Sequence, residues 1–244
     1  MPRANRYLVE NQIYHLTHRC HDREFLLRFG RDRSVYREWL RQGVRRYGIS
    51  LFGYCITSNH VHLVATAPST AAISRLMDLV EGAVAGHYNR RKHRSGGFWT
   101  GRFHDTLIDR GEYLWNCLQY VDLNMVRAGV VGHPEQWRWN GYRELLGERQ
   151  RYRLLDLAGL VRVLGMGELG VVRERYRGEI AAKIAAGQLP REAQWTESLA
   201  VGGEAYVRQM SLRLTGRQEL RMDGVTLAGG LRAWTLRESV AAYA

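Results

Sequence analysis

Two apolar runs, at residues 49–56 and 61–67, are joined through the polar residues Thr57, Ser58 and Asn59. Apolar runs of this length, bounded by turn residues, are typical of strands that are buried in a sheet. So short a connection can join only antiparallel strands, because parallel strands need a crossover of a dozen or more residues. The chain is therefore predicted to contain a β-hairpin, which restricts it to folds with an antiparallel sheet.

The segments around this hairpin extend it into a mixed fold. Alternating residues predict a strand at 13–19, and apolar residues at helical spacing predict helices at 32–47 and from 70 or 71 to about 88. Gly48 follows the first helix, where a helix-terminal glycine is expected. The order β-α-β-β-α is typical of ferredoxin-like or RRM-like sandwiches. We therefore expect an α+β fold in which helices cover an antiparallel sheet.

Further elements complete this domain. Residues 98–107 predict a strand or an extended piece, and residues 111–126 predict a helix. Two tryptophans after that helix, Trp137 and Trp139, are expected to hold the chain against the domain. We therefore expect a domain over residues 1–147.

The sequence changes character after about Gly147, where runs of Leu, Val, Arg and Glu predominate. The helices predicted there cover 155–163, 168–186 and 203–214, with one more near the C-terminus. The pair Asp223-Gly224 predicts a turn. Residues 148–244 are therefore expected to form a helical region, for which DNA binding, regulation of the first domain and simple bracing of the fold are the alternatives.

The composition favours a polyanionic partner. The 36 Lys and Arg residues outnumber the 24 Asp and Glu residues, which gives a net charge of +12 at pH 7, and nucleic acid is the commonest such partner. Three cysteines without a CxxC pair argue against a disulfide framework or a cysteine zinc site. The N-terminal residues carry no signal-peptide run, and no stretch approaches the ~18 apolar residues of a membrane span. We expect a cytoplasmic, nucleoid-associated protein that does not contact a membrane.

The hairpin carries a His-x-His pair, His60 and His62. Side chains on a strand alternate between its faces, so both histidines point the same way, about 7 Å apart at their roots, while Val61 packs on the other side. Two converging imidazoles can bind one divalent ion. The pair alone is weak evidence, because histidines without a ligand role also occur at such positions.

The predicted helix at 111–126 carries a strip of Tyr113, Cys117, Tyr120 and Asn124 beside its apolar stripe. Tyr120 and Asn124 are one turn apart and can reach the same target. A phenol and an amide oxygen near the two histidines would supply a nucleophile and a third metal ligand. An ordinary half-buried tyrosine and a helix-capping asparagine are the alternative. Tyr113 competes with Tyr120, but its neighbour one turn on is a soft thiol poorly suited to magnesium.

A basic, glycine-containing segment at 90–97 predicts an exposed loop. Its density of charge favours phosphate contacts, although a solvated loop without a role is the alternative. The residues predicted to contact phosphates are Arg90, Arg91, Lys92, Arg94 and Arg102. Phe98, Trp99 and Phe103 could stack unpaired bases, but aromatic residues in such a setting are at least as often part of the core.

Three separated motifs, YCITSNHVHLV, FWTGRFH and LQYVDLNMVRAGVV, resemble those of the single-tyrosine HUH transposases, especially the REP-associated branch. The similarity covers roughly residues 8–145, with the motifs in the family's order. The sequence departs from the family pattern where Thr57-Ser58 replace the usual Met-Pro, and where Met125 replaces the proline after the asparagine. These positions do not supply the chemistry.

The resemblance implies both the site and its reaction. His60 and His62 correspond to the HUH histidines, Tyr120 to the nucleophile, and Asn124 to a third ligand through its carboxamide oxygen. The implied activity is that of a metal-dependent endonuclease and strand transferase, which forms a 5′-phosphotyrosine intermediate on single-stranded or hairpin DNA. The implied cofactor is Mg²⁺ or Mn²⁺, and the implied assembly is a monomer or a homodimer.

Three other interpretations remain open. A domesticated DNA-binding module would keep the fold and the basic surface without cutting. A rolling-circle initiator or relaxase would use the same chemistry, but such proteins often carry two tyrosines close together or a helicase. A metal-dependent hydrolase would use His60 and His62 without Tyr120.

Overall fold

A computed structural model describes residues 8–149, 151–187, 189–214 and 219–239. Its first elements, in chain order, are β1 (Ile13–Arg19), α1 (Gly30–Tyr47), β2 (Ser50–Ile56), β3 (His60–Thr66), α2 (Thr70–Lys92) and β4 (His104–Ile108). β1 lies between β3 and β4, and β2 pairs with the outer edge of β3, all antiparallel. The ferredoxin-like α+β core and its β2–β3 hairpin are therefore confirmed.

The later elements are α3 (Glu112–Asp122), α4 (Asn124–Arg127), α5 (Tyr142–Leu145), α6 (Leu157–Leu164), α7 (Leu169–Ala185), α8 (Gln194–Glu197), β5 (Ala200–Gly202), α9 (Glu204–Arg213), β6 (Leu220–Thr226) and β7 (Arg232–Glu238). The strands form one seven-stranded sheet in the order β2-β3-β1-β4-β5-β7-β6. Only the pairing of β4 with β5 is parallel among the described strands.

The two faces of the sheet are covered by different helices. On one face, α1 and α2 bury residues such as Tyr36, Leu40 and Leu76. On the other face, the apolar stripe of α3, including Leu114 and Leu118, packs on the sheet. The helix predicted at 111–126 is interrupted at Leu123, whose ψ of 1° separates α3 from α4.

The C-terminal region is only partly helical. The predicted helices at 155–163, 168–186 and 203–214 correspond to α6, α7 and α9. The further helix predicted near the C-terminus is wrong, because that segment forms the hairpin β6–β7. Asp223-Gly224 lies within β6, and the turn is made by Gly229 and Gly230, both at positive φ. Pairing of β7 with β5 and β6 on its two sides outweighs the local pattern.

The domain boundary at residue 147 stays a prediction. β5, β6 and β7 come from the C-terminal region, yet they continue the sheet of the first domain. The join is the parallel pairing of Leu107 with Ala200 and of Ile108 with Val201. Within the described ranges, no helix is both long and apolar enough to cross a membrane.

The two tryptophans hold the chain after α4 against the domain, as predicted. Trp137 Nε1 donates to the carbonyl of Ile56 at 3.0 Å, and Trp139 Nε1 donates to Ser34 Oγ at 3.2 Å. The Arg33 guanidinium lies 4.6 and 4.0 Å from the two rings. These contacts fix the segment after α4 against the end of β2 and against α1.

Gly53 sets how closely α3 approaches the sheet, and we expect Gly53→Ala to lower the free energy of unfolding by about 1–3 kcal/mol. A Cβ at this position would lie 2.6 Å from Leu118 Cδ2, inside a packed core. Gly82→Ala is the matched control: nothing lies within 4 Å of its Cβ position in α2, so alanine should stabilise the protein by about 0.5–1 kcal/mol. Urea denaturation measures both, and equal effects of the two substitutions would contradict the steric argument.

Candidate active site

The two hairpin histidines share one face of β3, as predicted. His62 is 2% exposed and lies opposite Thr17 of β1 and Cys55 of β2. His60 is half-buried at the start of the same strand. Their ring centroids are 4.9 Å apart, close enough for both imidazoles to contact one ion.

Tyr120 and Asn124 meet these histidines from the opposite side. The Asn124 amide lies 2.9 Å from His62 Nε2, with Nδ2 as the contacting atom. The Tyr120 ring is 5% exposed, and its centroid lies 6.0 Å from that of His62. All four residues line one cavity of about 490 Å³. The packing of α3 on the sheet, with α4 directly after it, thus brings together the four residues that the sequence predicted to form a site.

A buried chain of hydrogen bonds determines which nitrogen of His62 faces the cavity. His15 Nδ1 lies 2.7 Å from the carbonyl oxygen of Trp195, and His15 Nε2 lies 2.8 Å from His62 Nδ1. A carbonyl can only accept, so His15 Nδ1 donates to it and the neutral His15 Nε2 accepts. His62 must then donate from Nδ1, which leaves its Nε2 as an unprotonated acceptor toward the cavity.

The neighbours of His60 likewise leave its Nε2 unprotonated. Asn59 Nδ2 donates to the carbonyl of Arg23 at 3.0 Å, which turns Asn59 Oδ1 toward His60. His60 Nδ1 donates to that oxygen at 2.7 Å, so its Nε2 also carries a lone pair. Both histidines therefore present the atom that a divalent cation binds.

Burial keeps these imidazoles neutral. Desolvation lowers the pKa of His60 to about 4, with the positive charge of Arg19 as a further cause. Desolvation also lowers the pKa of His15 to about 3, and that of His62 well below its usual value. Metal ligation requires neutral imidazole, so the pair is ready to bind a cation at neutral pH.

Arginines make the rest of the cavity positive. Its lining includes Arg19, Arg23, Arg127 and Arg191. The Arg127 guanidinium lies 4.2 Å from the centroid of the Tyr120 ring. Burial raises the pKa of Tyr120, while the charges of Arg127 and Arg191 act in the opposite direction. The cavity therefore suits an anion that is placed between the phenol and the histidines.

The C-terminal region supplies one wall of this cavity. Arg191 and Thr196 line it, and the Trp195 ring packs 6.4 Å from that of Tyr120. The carbonyl of Pro190 accepts from Arg127 Nε at 3.1 Å. These residues, together with His15, were not predicted. His15 stands in an alternating strand, but its contact with His62 depends on the β1–β3 register, which no local pattern reveals.

The residues that were predicted to contact phosphates do not lie together in one exposed loop. Arg90, Arg91 and Lys92 do not lie in an exposed loop, because α2 continues through Lys92. Arg91 is paired with the buried carboxylate of Asp32. Arg94 follows the helix and donates to the carbonyl of Gly97 at 3.0 Å.

Arg102 is the member of the predicted set that reaches the site. It lines a second cavity, which adjoins the first and shares His60, His62, Arg19 and Arg191 with it. Phosphate binding by all five basic residues, Arg102 included, stays a prediction. Phe98 and Phe103 are buried in the core, and Trp99 donates to the carbonyl of Glu81, so the core interpretation holds for the two phenylalanines.

The metal-binding potential of the site depends on an amide. In the part of the chain that the structure describes, no group of three or more His, Cys, Asp or Glu side chains could hold a metal ion. A third protein ligand beside His60 and His62 must therefore come from another residue type. The Asn124 carboxamide is in position, and a half-turn about its Cβ–Cγ bond would direct Oδ1 instead of Nδ2 toward His62.

Comparisons with known proteins identify one related family and several similar proteins. Residues 8–124 match the model of the IS200-like transposases. A protein of Haemophilus influenzae that carries the name REP-associated tyrosine transposase is 26% identical over 119 residues, which are 45% of this chain and 68% of that relative. The segment that the family model matches, residues 8–124, contains His15, His60, His62, Tyr120 and Asn124.

Two solved structures are also similar to this chain, at lower sequence identity than the H. influenzae protein. One is a REP-associated tyrosine transposase bound to a REP hairpin, with 14% identity and a TM-score of 0.48 over 64% of this chain and 96% of that one. The other is described as a transposase of Deinococcus radiodurans, with 19% identity and a TM-score of 0.33 over 43% of this chain and 84% of that one.

Proposed function

Because residues 8–124 match the model of the IS200-like transposases, we propose that this chain cuts and rejoins single-stranded DNA with Tyr120 as the nucleophile. The observation that carries the proposal is the meeting of Tyr120, Asn124 and the two histidines in one arginine-lined cavity. The Arg127 guanidinium lies against the Tyr120 ring, and positive charge beside a phenol favours its attack on a phosphate.

We propose His60 Nε2, His62 Nε2 and Asn124 Oδ1 as the ligands of a divalent cation, Mg²⁺ or Mn²⁺. The support is the donor set itself: two neutral imidazoles whose Nδ1 atoms are already engaged, and one amide. Manganese tolerates imidazole better than magnesium does. Such a cation supplies Lewis-acid polarisation of the scissile phosphate and keeps positions open for its oxygens.

In the proposed reaction, Tyr120 Oη attacks the phosphorus. A bond forms between the phenolic oxygen and phosphorus, and the bond from phosphorus to the 3′-oxygen breaks. The phenol loses its proton and the leaving 3′-oxygen gains one, so that a 5′-phosphotyrosine and a free 3′-hydroxyl result. Burial raises the pKa of Tyr120, and the charges of Arg127 and Arg191 counter only part of this effect, in the direction that favours the phenolate. Attack of another 3′-hydroxyl on the phosphotyrosine rejoins the strand.

The proposed substrate is a hairpin-forming repeat with a single-stranded flank. The support is the name of the H. influenzae relative, which associates that protein with REP elements, together with the net charge of +12. A monomer or a homodimer remains the predicted assembly.

The proposed function is tested by whether a covalent protein–DNA adduct forms. The protein is incubated with 5′- and 3′-labelled single-stranded hairpin DNA and Mn²⁺, and a denaturing gel separates free DNA from DNA that stays attached to protein. The proposal expects an adduct that retains the label 3′ of the cut. Binding to a panel of hairpins without any adduct would contradict it and favour a non-cutting DNA-binding module.

We expect His15→Leu to lower the affinity for Mn²⁺ by about 10- to 100-fold, because His62 then loses the acceptor that fixes its Nδ1 proton. Calorimetric titration measures the affinity. Nitrogen-15 NMR of histidine side chains tests the cause directly: in the wild-type protein His62 carries its proton on Nδ1, and in the variant this preference is lost. His87→Leu, on α2 at the other face of the sheet, is the control. An unchanged His62 tautomer in His15→Leu would refute the positioning role.

A further inference from the structure

A basic groove, distinct from the two cavities around His60 and His62, lies beside α1 and the chain that follows α4. Its volume is about 690 Å³, and it is lined mainly by arginines, with one exposed tyrosine. These residues are Arg37, Arg138, Arg143, Arg149, Arg151 and Tyr152. The groove shares no lining residue with the cavity that contains Tyr120. It is therefore a separate site, and the proposed reaction does not use it.

The arginines of this groove outnumber their carboxylate partners. Glu148 is the acidic residue in the lining, and it lies 3.6 Å from Arg143. In the described part of the chain, no carboxylate lies within 4 Å of the guanidinium groups of Arg37, Arg149 or Arg151. Burial lowers the pKa of Arg37, and the positive charge of Arg149 lowers it further. An anion in the groove would relieve this repulsion.

The loop that carries Tyr152 is held in an unusual conformation. Arg149 Nη1 donates to Tyr54 Oη at 3.0 Å, and its Nε and Nη2 donate to the carbonyls of Arg151 and Tyr152 at 3.3 and 3.2 Å. Tyr152 has a φ of +56° and is 72% exposed. A non-glycine residue at positive φ is strained, and such strain is concentrated at functional positions. Arg149 thus braces a loop that presents an aromatic ring to solvent beside a row of positive charges.

We propose that this groove binds a second stretch of single-stranded nucleic acid, outside the cavity where the strand is cut. Guanidinium groups contact the phosphates, and the Tyr152 ring stacks on an unpaired base. Arginine and an exposed aromatic ring are the combination that holds single strands without sequence readout, and arginine forms forked hydrogen bonds with phosphate. A peptide of acidic residues would match the charge but would leave the ring without a stacking partner. The chain can therefore bind the strand through this groove independently of the reaction at Tyr120.

The first experiment measures affinity by fluorescence anisotropy, with a fluorescein-labelled 20-mer of deoxythymidine and with EDTA present, so that cutting plays no part. The double variant Arg138→Glu/Arg151→Glu changes two exposed side chains of the groove. We expect at least a tenfold loss of affinity near 0.1 M salt. We also expect the log–log salt dependence to become shallower by about 1.4, for two lost phosphate contacts on a single strand.

The matched control is Arg110→Glu/Arg162→Glu, which makes the same change of charge at two exposed arginines that do not line the groove. It should lose far less affinity. Equal losses in the two double variants would overturn the proposal, since net charge would then explain the binding.

The second experiment tests stacking at Tyr152. A strand with 5-iodouracil should crosslink to Tyr152 on irradiation, as identified by mass spectrometry. Tyr152→Ala should weaken binding of the thymidine 20-mer but not of an abasic 20-mer with the same phosphates. A crosslink confined to the Tyr120 cavity would refute the proposal, as would tighter binding of duplex DNA or of polyglutamate. Neither result depends on whether an adduct forms, so this proposal and the proposed function can fail separately.

Discussion

Replacing Tyr120 by phenylalanine is expected to abolish the covalent protein–DNA adduct, with a loss of at least about 10³-fold in strand cleavage. The substitution removes only the phenolic oxygen. The ring keeps its contacts with Arg127 at 4.2 Å and with Trp195 at 6.4 Å, so the fold and the cavity should persist. Adduct formation on labelled hairpin DNA with Mn²⁺ measures the loss, and circular dichroism verifies the fold.

Tyr113→Phe is the control for this experiment. Tyr113 lies on α3, two turns before Tyr120, and its hydroxyl donates to the carbonyl of Arg232 at 3.4 Å, away from the histidines. The control should form the adduct at the wild-type rate. An adduct that survives Tyr120→Phe and disappears in Tyr113→Phe would transfer the role of nucleophile to Tyr113. An adduct that survives both would refute a tyrosine of α3 as the nucleophile.

Replacing His60 by alanine is expected to weaken Mn²⁺ binding by at least about 100-fold and to lower adduct formation by a similar factor. His60 is the better choice for separating metal binding from stability, because it is half-buried at the start of β3. His62→Ala should have at least as large an effect on the metal. It would also leave the buried His15 Nε2 without its partner, at a further cost of about 1–3 kcal/mol in folding free energy.

Removal of the metal gives the complementary result. Excess EDTA should stop adduct formation by the wild-type protein, and Mn²⁺ should restore it, while DNA binding persists. His87→Leu again serves as the histidine control, with unchanged Mn²⁺ affinity. Adduct formation by His60→Ala at the wild-type rate, or full activity in EDTA, would refute the metal proposal and leave the role of Tyr120 untouched.

Local periodicity was enough to predict the elements that carry the site. The polar connection at 57–59 predicted the hairpin, and alternation along its second strand predicted that His60 and His62 share a face. Helical spacing placed Tyr120 and Asn124 one turn apart, and both line the same cavity. These features depend on residues close together in the chain, where the geometry of a strand or a helix settles which side chains are neighbours.

The sequence pattern failed where segments distant in the chain meet. The helix predicted near the C-terminus is a β-hairpin, because β7 gains strand partners on both sides. Arg90, Arg91 and Lys92 continue α2 instead of forming a loop, and Arg91 is held by Asp32, 59 residues away. A run of basic residues looks the same in the sequence whether it forms a solvated loop or the last turn of a helix. The sequence also does not show that one of its members pairs with a buried carboxylate.

The sequence by itself determined the α+β order, the histidine pair on one strand face and the tyrosine and asparagine one helical turn apart. Only the tertiary structure decided that His15 lies beside His62, that the Trp195 carbonyl fixes the proton of His15, and that Arg191 joins the cavity from the C-terminal region. The reason is physical: periodicity sets the direction of a side chain within its own element. The partner that it meets depends on strand register and on the packing of segments up to 180 residues apart.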